Sequence, residues 1–238
     1  EYIERTIDHA EQTNASAVLI EITTPGGLVD STRKIVERML ASKVPVIVYV
    51  TPAGSRAASA GFFILEAADV AAMSPGTNTG AAHPVMMGEK MDDVMKSKVE
   101  NDAAAFMRSY TSKRGRDVTV AESAVRESKS WTDQEAIDKH LIDVIAKDEA
   151  DLWKQLDGRN ITRFNGDKQT LHFNNVQVED FKMTLRQGIL AWLMDPNIAF
   201  LVLALGALAL YAEFNHPGAV IPGVVGLVAI VIAVFALN

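Results

Sequence analysis

The chain has 238 residues, and its 48% hydrophobic and 22% charged side chains are typical of a folded protein, which excludes wholesale disorder. Its 23 basic and 30 acidic residues give a net charge of −7, which argues against nucleic acid as a partner. There is no cysteine, so disulfides, iron–sulfur clusters, cysteine–zinc sites and thiol catalysis are excluded. Any nucleophile must therefore be an oxygen or an amine.

The charges are distributed unevenly along the chain. Every Lys and Arg precedes the last 49 residues, in which Asp195 and Glu213 are the only charged side chains. Residues 198–212 and 219–237 are uncharged apolar runs, each long enough with its flanks to cross the hydrocarbon core of a bilayer. We predict a transmembrane hairpin that turns at residues 215–218. The alternative is a pair of buried core helices, which the all-round apolar character of both runs disfavours.

The preceding part of the chain predicts alternating helices and strands. Apolar spacing predicts a helix at residues 2–13, a buried strand at 17–22, a helix at 31–41, a buried strand at 44–50, a helix at 58–68, a strand at 70–73, a helix at 98–114 and a strand at 141–145. A capping box at Thr132 and Glu135 starts a further short helix. Short loops between these elements predict an α/β fold with a mainly parallel sheet.

A β-hairpin is predicted between this body and the apolar runs. Residues 163–178 alternate in polarity around Asn165-Gly166, which is a strong turn signal. We therefore expect an α/β body at 1–155, a β appendage at 156–185 and the transmembrane hairpin at 186–238. We also expect a first strand of the body before residue 1 and a continuation after residue 238.

Ser59 is the first candidate for a chemical role. It follows a buried strand and opens a helix among alanines and glycines, so a substrate carbonyl could approach its hydroxyl, and free amides at the helix start could stabilise an oxyanion. The alternative is a serine that caps its own helix. A second turn, Gly26-Gly27, is expected at the same carboxyl edge of the sheet, where α/β folds place their sites. By itself it could also be an ordinary tight turn.

Three motifs resemble those of the NfeD-type membrane-bound serine proteases, which are related to signal peptide peptidase A and to ClpP. They are residues 21–30 (EITTPGGLVD), 54–61 (GSRAASAG) and 74–84 (SPGTNTGAAHP), and the apolar hairpin follows them. The resemblance implies a ClpP/crotonase-like fold and a serine endopeptidase with no cofactor and no metal. It also implies membrane-protein or peptide substrates with hydrophobic segments, a stomatin-like partner and a homo-oligomer in a lipid bilayer.

The resemblance also implies roles for individual residues. Ser59 matches the nucleophile, the amides of Gly27 and Ala60 match the oxyanion hole, and Lys98 matches the general base of a Ser/Lys dyad. A lysine has an unperturbed pKa of about 10.4, so a lysine base must be buried to lose its proton at neutral pH.

His83 is the alternative base. It follows Ser59 by 24 residues, near the triad histidine of the ClpP family, and a histidine needs no pKa shift to act at neutral pH. In NfeD-type sequences this position lines the site, so we expect His83 to bind substrate, with residues 83–87 as one wall. We expect Gly26 and Leu28 to bind an extended peptide as an added strand.

Two other functions and the membrane sidedness remain open. A crotonase-type acyl-CoA enzyme would share the fold, although no basic phosphate-binding cluster is evident, and a degenerate domain could be a non-catalytic scaffold for a stomatin-like protein. The resemblance implies a cell-membrane protein with an extracytoplasmic protease domain. Lys182 and Arg186, which precede the first apolar run, favour the cytoplasmic side by the positive-inside rule.

Overall fold

The computed structural model describes residues 1–85, 92–174, 177–215 and 220–237, and it divides near residue 178 into two compact units. The helices are α1 (Tyr2–Thr13), α2 (Val29–Leu40), α3 (Ala60–Ala67), α4 (Asp93–Thr111), α5 (Val118–Arg126), α6 (Asp133–Asp138), α7 (Glu149–Leu156), α8 (Leu185–Leu193), α9 (Pro196–Asn215) and α10 (Val220–Leu237). The strands are β1 (Val18–Ile22), β2 (Val46–Val50), β3 (Arg56–Ala58), β4 (Val70–Met73), β5 (Asn78–Gly80), β6 (Ser130–Thr132), β7 (Val144–Ile145), β8 (Asn160–Thr162) and β9 (Lys168–Thr170).

The first unit is built on a parallel sheet with the strand order β1-β2-β4-β7. Its central strand, β2, is buried along its whole length, and its side chains alternate between two hydrophobic clusters. Val46, Val48 and Val50 belong to the cluster that includes residues of α1 to α5. Ile47 and Tyr49 belong to the cluster that includes α7 and the β8–β9 hairpin. Both faces of the sheet are therefore covered, as the predicted parallel architecture requires.

Several element boundaries differ from the predicted ones. The predicted helix at 58–68 begins at Ala60, because residues 56–58 pair with β5 as strand β3. The predicted helix at 98–114 begins at Asp93, where the Asp92 side chain accepts a hydrogen bond from the Met95 amide. β1 is only partly buried, because it forms an edge of the described sheet and pairs with β2 on one side.

A second, smaller sheet lies beside the main one. β5 pairs in parallel with β3 and antiparallel with β6. These three-residue strands have no hydrophobic alternation, so the sequence gives no signal for them. They nevertheless connect the start of α3 to the segment that follows β4.

The second unit contains the apolar helices. α9 has a stretch at 197–215 that is long and apolar enough to cross a membrane, whereas the apolar stretch of α10, 221–236, is shorter. A Cβ atom on Gly206 would lie 2.9 Å from the Gly226 carbonyl oxygen, so the two helices meet backbone to backbone at these glycines, as is common in membrane helix pairs. Most of the predicted turn at 215–218 lies outside the described residues. Helix α8 was not predicted.

Glu66 is an unusual charge in the core, because α3 is buried along its whole length and neither Glu66 carboxyl oxygen has a hydrogen-bond partner in the described part of the chain. Burial raises the pKa of Glu66 to about 8, and the nearby Arg116 guanidinium only partly opposes this effect. The Arg116 side chain donates its own hydrogen bonds to backbone carbonyls of α3 and to the Asp143 carboxylate. Glu66 is therefore protonated in the folded protein at neutral pH.

We expect Glu66→Gln to change how stability depends on pH. Between the unfolded pKa of 4.5 and the folded value of about 8, the folded state keeps a proton that the unfolded state has lost. Stability of the native protein therefore falls as pH rises through this window, by up to about 1.4 kcal/mol per pH unit, and glutamine removes that dependence. Denaturant unfolding at pH 5 and pH 8 measures it. The exposed Glu37→Gln is the control, and parallel pH curves for Glu66→Gln and the native protein would contradict the expectation.

Candidate active site

Ser59 occupies a strained turn between β3 and α3. Its backbone has φ 53° and ψ −113°, a conformation that non-glycine residues rarely adopt and that costs on the order of 1–3 kcal/mol. Its side chain makes no capping hydrogen bond to α3, although Ser59 stands at the N-cap position. The structure therefore does not support a simple capping role for this serine, and its half-buried hydroxyl is available for other contacts.

Three segments are hydrogen-bonded side by side around this turn. The Thr24 amide donates to the Arg56 carbonyl at 2.7 Å, and the Ala58 amide donates to the Thr24 carbonyl at 3.1 Å. On the other side, the Ser59 amide donates to the Gly80 carbonyl at 2.8 Å. The glycine turn after β1 and the end of β5 therefore flank Ser59.

Gly26 and Gly27 lie against the turn, and at Gly26 both the close contact and the positive φ disfavour a side chain. A Cβ atom on Gly26, whose φ is +150°, would lie 3.4 Å from the Ser59 Oγ atom, and one on Gly27 would lie 3.4 Å from the Ala60 Cβ atom. Within the described part of the chain, the amides of Gly27 and Ala60 donate no hydrogen bond. The structure thus brings the predicted serine together with two free amides of the predicted oxyanion hole, one of them at the N-terminus of α3.

An open cleft of about 480 Å³, counting the space at its mouth, begins at these residues. It runs between α2, α3 and α4, and its lining is mostly apolar: Val29, Phe63, Ala82, Val99, Ala103 and Phe106. Arg33 and Asp102 are the charged residues among those that line it in the described part of the chain. A cleft with this lining suits an uncharged, apolar group next to Ser59.

Lys98 is not joined to Ser59 in this single chain. It lies on an exposed turn of α4, next to Val99 and four residues before Asp102, both of which line the cleft. Among the described residues, no hydrogen bond connects the Ser59 and Lys98 side chains. The burial that a lysine base requires is therefore not provided by the described residues of one chain.

The His83 side chain is hydrogen-bonded to the backbone of α5. Its Nδ1 atom lies 2.8 Å from the Val125 carbonyl oxygen, which only accepts, so Nδ1 donates and Nε2 keeps the free lone pair. His83 does not line the cleft as described, although its neighbours Ala82 and Pro84 do. Two members of the predicted wall at 83–87, Met86 and Met87, lie outside the described residues.

No pattern in the sequence predicted the two charged residues that line the cleft. Arg33 and Asp102 are 69 residues apart and lie on two helices whose relative position depends on the whole fold. Phe106 packs against the hydrophobic core and stacks with Phe63, and both rings line the cleft.

The chain matches two family models. Residues 1–162 match the model described as NfeD1b, N-terminal domain, and residues 197–238 match the NfeD integral membrane domain. The chain is 37% identical to membrane-bound protease PH1510 of Pyrococcus horikoshii, over 97% of this chain and 53% of that protein. It is 26% identical to membrane protein NfeD1b of Bacillus subtilis, over 97% and 51%. The chain spans about half the length of these curated relatives.

Solved structures give the same picture of the fold. The 1510-N membrane-bound stomatin-specific protease, as a lysine-to-alanine mutant in complex with a substrate peptide, matches with a TM-score of 0.73 at 34% identity, over 80% of this chain and 88% of that one. A serine-to-alanine mutant of 1510-N matches with a TM-score of 0.70 at 36% identity, over 76% and 89%.

The fold is therefore the ClpP-like α/β fold, as predicted, and in this chain it places a serine at the N-terminus of a buried helix. Within that class the chain belongs to the NfeD family, because the N-terminal domain model covers more than half of it and the integral membrane domain model covers most of the remainder.

We expect Gly80→Ala to disrupt the site more than any other glycine-to-alanine change in its neighbourhood. A Cβ atom on Gly80 would lie 2.4 Å from the Lys129 carbonyl oxygen, and the φ of +119° excludes an unstrained alanine. To relieve this clash the backbone at Gly80 would have to move, and with it the carbonyl that accepts the hydrogen bond from the Ser59 amide. Both the stability of the protein and its reaction with a fluorophosphonate should therefore fall.

The matched control is Gly76→Ala, at a positive φ of +77° but with no other atom within 4 Å of the added Cβ. It should cost only about 1–2 kcal/mol of stability and leave serine labelling in place. Thermal unfolding and fluorophosphonate labelling of both variants measure the difference. Equal effects of the two substitutions would show that the position of Gly80 is not what matters.

Proposed function

We propose that this chain is the catalytic part of a membrane-anchored serine endopeptidase that cleaves hydrophobic segments of membrane proteins. The observation that carries the proposal is a strained serine flanked by two free amides at the head of an apolar cleft. It is supported by the peptide complex of the similar 1510-N protease, whose substituted residues are a serine and a lysine.

Ser59 is the nucleophile in this proposal. Its Oγ attacks the carbonyl carbon of the scissile peptide, and the oxygen that becomes negative lies between the Gly27 and Ala60 amides. These donors are already in place and unpaired, and one of them is at the N-terminus of α3, where the helix dipole favours negative charge. The positive φ of Ser59 keeps its side chain out of the capping position.

Lys98 is the proposed general base. In 1510-N the substituted lysine follows the substituted serine by 41 residues, and here Lys98 follows Ser59 by 39, whereas His83 follows by only 24. Lys98 is exposed in the free chain. A substrate lying over the cleft, or a second copy of the chain, would exclude water from the amine, and loss of water favours the neutral form that accepts the Ser59 proton.

The substrate is proposed to bind as an extended strand beside Gly26-Gly27-Leu28. This segment follows β1, lies outside any ladder, and carries Leu28 with 73% of its surface exposed. The Leu28 carbonyl is used by α2, through Thr32, but the Gly27 carbonyl accepts no hydrogen bond within the described part of the chain. An added strand would use such free backbone groups, and His83 would contact the substrate from the other side.

The two apolar helices are proposed to form a transmembrane hairpin that anchors the protease in the cell membrane. α9 has the length and composition of a span, and α10 packs on it through Gly206 and Gly226. A stomatin-like protein is the proposed partner and substrate, because the similar 1510-N protease is stomatin-specific. The resemblance to NfeD-type proteases favours the extracytoplasmic side.

A homo-oligomer is also part of the proposal. Val94 and Met95, in the first turn of α4, are exposed apolar side chains close in sequence to Lys98. A neighbouring copy that covered this turn would bury them and would desolvate the lysine as well.

The acyl-CoA alternative has less support. Such an enzyme needs cations for the phosphates of its substrate, and the one described cation of the cleft, Arg33, is already paired with Asp102. A non-catalytic scaffold does not explain why two unpaired amides lie beside a strained serine.

We expect Ser59→Ala to abolish both fluorophosphonate labelling and peptide cleavage, because it removes the attacking oxygen. Ser55→Ala, four residues earlier in the same small-residue segment, is the matched control and should keep appreciable activity, since Ser55 does not line the cleft. Labelling of purified protein, followed by a peptide assay, tests both. Cleavage that survives in Ser59→Ala would remove this serine from the mechanism.

We expect Lys98→Ala to lower kcat by on the order of a thousand-fold or more, as is found when one member of a catalytic unit is removed. Lys96→Ala is the matched control, because Lys96 is an exposed lysine on the same turn of α4. His83→Ala should mainly raise KM. Steady-state kinetics on one peptide measure all three, and a larger loss of kcat in His83→Ala would transfer the role of base to His83.

A further inference from the structure

We propose that the Arg33–Asp102 ion pair is the end wall of the apolar cleft and limits the size of the substrate side chain that the cleft accepts. This inference rests on the proposed peptidase function and adds the feature of the substrate that the site selects.

The walls of the cleft are aromatic and aliphatic from its catalytic end onward. Phe63 lies one helical turn beyond Ser59 on α3, so its side chain follows directly after the nucleophile. The Phe106 ring of α4 stacks on it, with the ring centroids 6.1 Å apart. Val29 of α2 and Val99 of α4 complete an apolar surface. Such a surface favours burial of a large apolar side chain over that of alanine.

Arg33 also lines the cleft, and it lies over Phe106, which itself stacks with Phe63. Its guanidinium carbon is 4.3 Å from the centroid of the Phe106 ring, and its Nη2 atom pairs with the Asp102 carboxylate. Arg33 belongs to α2 and Asp102 to α4, so the ion pair spans the cleft from one wall to the other. Arg33 is the inner member, with 29% of its side chain exposed against 70% for Asp102.

Two contacts together fix the guanidinium across the cleft. An exposed ion pair contributes little by itself, but stacking over an aromatic ring adds a second attraction and sets the orientation of the planar group. A substrate side chain longer than the apolar surface would have to displace a charge from both partners. The wall is therefore selective, because it tolerates leucine or phenylalanine and opposes larger groups.

The test uses the full chain and a set of peptides that differ only at the residue preceding the scissile bond: alanine, leucine, phenylalanine and biphenylalanine. The native protein should have its highest kcat/KM for leucine and phenylalanine. Arg33→Ala should raise the biphenylalanine-to-leucine ratio of kcat/KM by about ten-fold or more, the range that pocket-size changes produce. Asp102→Asn should shift the ratio in the same direction but less, because Arg33 keeps its stacking on Phe106.

Two controls separate the size of the wall from its charge and from general damage. Arg33→Met keeps most of the length of the side chain but loses its charge and the ion pair, so it should raise the biphenylalanine-to-leucine ratio by less than Arg33→Ala does. Arg108→Ala breaks a comparable ion pair from α4, with Glu122 at 2.8 Å, away from the cleft, and should leave the ratio unchanged. A uniform fall in kcat/KM for every peptide in Arg33→Ala would show that Arg33 only braces α2 against α4, and would overturn the proposal.

Peptide affinity measured in the Ser59→Ala background distinguishes failure of this inference from failure of the proposed function. If the native chain shows no Ser59-dependent hydrolysis, the peptidase proposal fails, and the effect of Arg33→Ala on affinity for the same peptides still tests the wall. If hydrolysis is present but neither kcat/KM ratios nor affinities respond to Arg33, the wall is wrong and the peptidase stands. Absence of any peptide affinity in Ser59→Ala also overturns the subsite.

Discussion

The hydrogen bond from the Ser59 amide to the Gly80 carbonyl holds the whole site in register. This hydrogen bond fixes Ser59, whose backbone is strained. It extends the parallel pairing of β3 with β5 by one residue. The Thr24 bridge on the other side of β3 then brings the glycine turn to the same point. If these contacts slipped by one residue, Ser59 and the Ala60 amide would separate from the Gly27 amide, because the glycine turn comes from a different segment of the chain.

The two parts of the proposed catalytic unit differ in whether the single chain already holds them in the environment that the reaction needs. The two free amides and the apolar cleft are formed without substrate, because contacts within the chain determine them. Lys98, in contrast, lies in water on an early turn of α4. A site of this kind reaches its reactive state only when something else covers the lysine, so peptide binding or assembly would control when the serine is activated.

Burial acts on charges in two opposite ways around α3. Glu66 lies inside the helix that begins at Ser59, and it stays protonated because no partner replaces the water it has lost. Arg116 is equally buried, yet burial does not remove its charge, because backbone carbonyls and the Asp143 carboxylate surround it. The helix that begins after Ser59 is therefore held in the core without a net charge of its own at neutral pH.

The sequence by itself determined the alternating α/β body, the parallel sheet, the capping box at Thr132, the serine beside small residues and the apolar runs, because each depends on local periodicity or on a turn residue. Tertiary structure decided the rest. The strands β3, β5 and β6 are too short to show a pattern, and Gly80 and Arg33 act through partners that are 21 to 69 residues away. The exposure of Lys98 could not be read from its apolar neighbours, since it depends on what packs against the start of α4. Contacts between segments far apart in the chain obey packing and register, for which a single sequence carries no local signal.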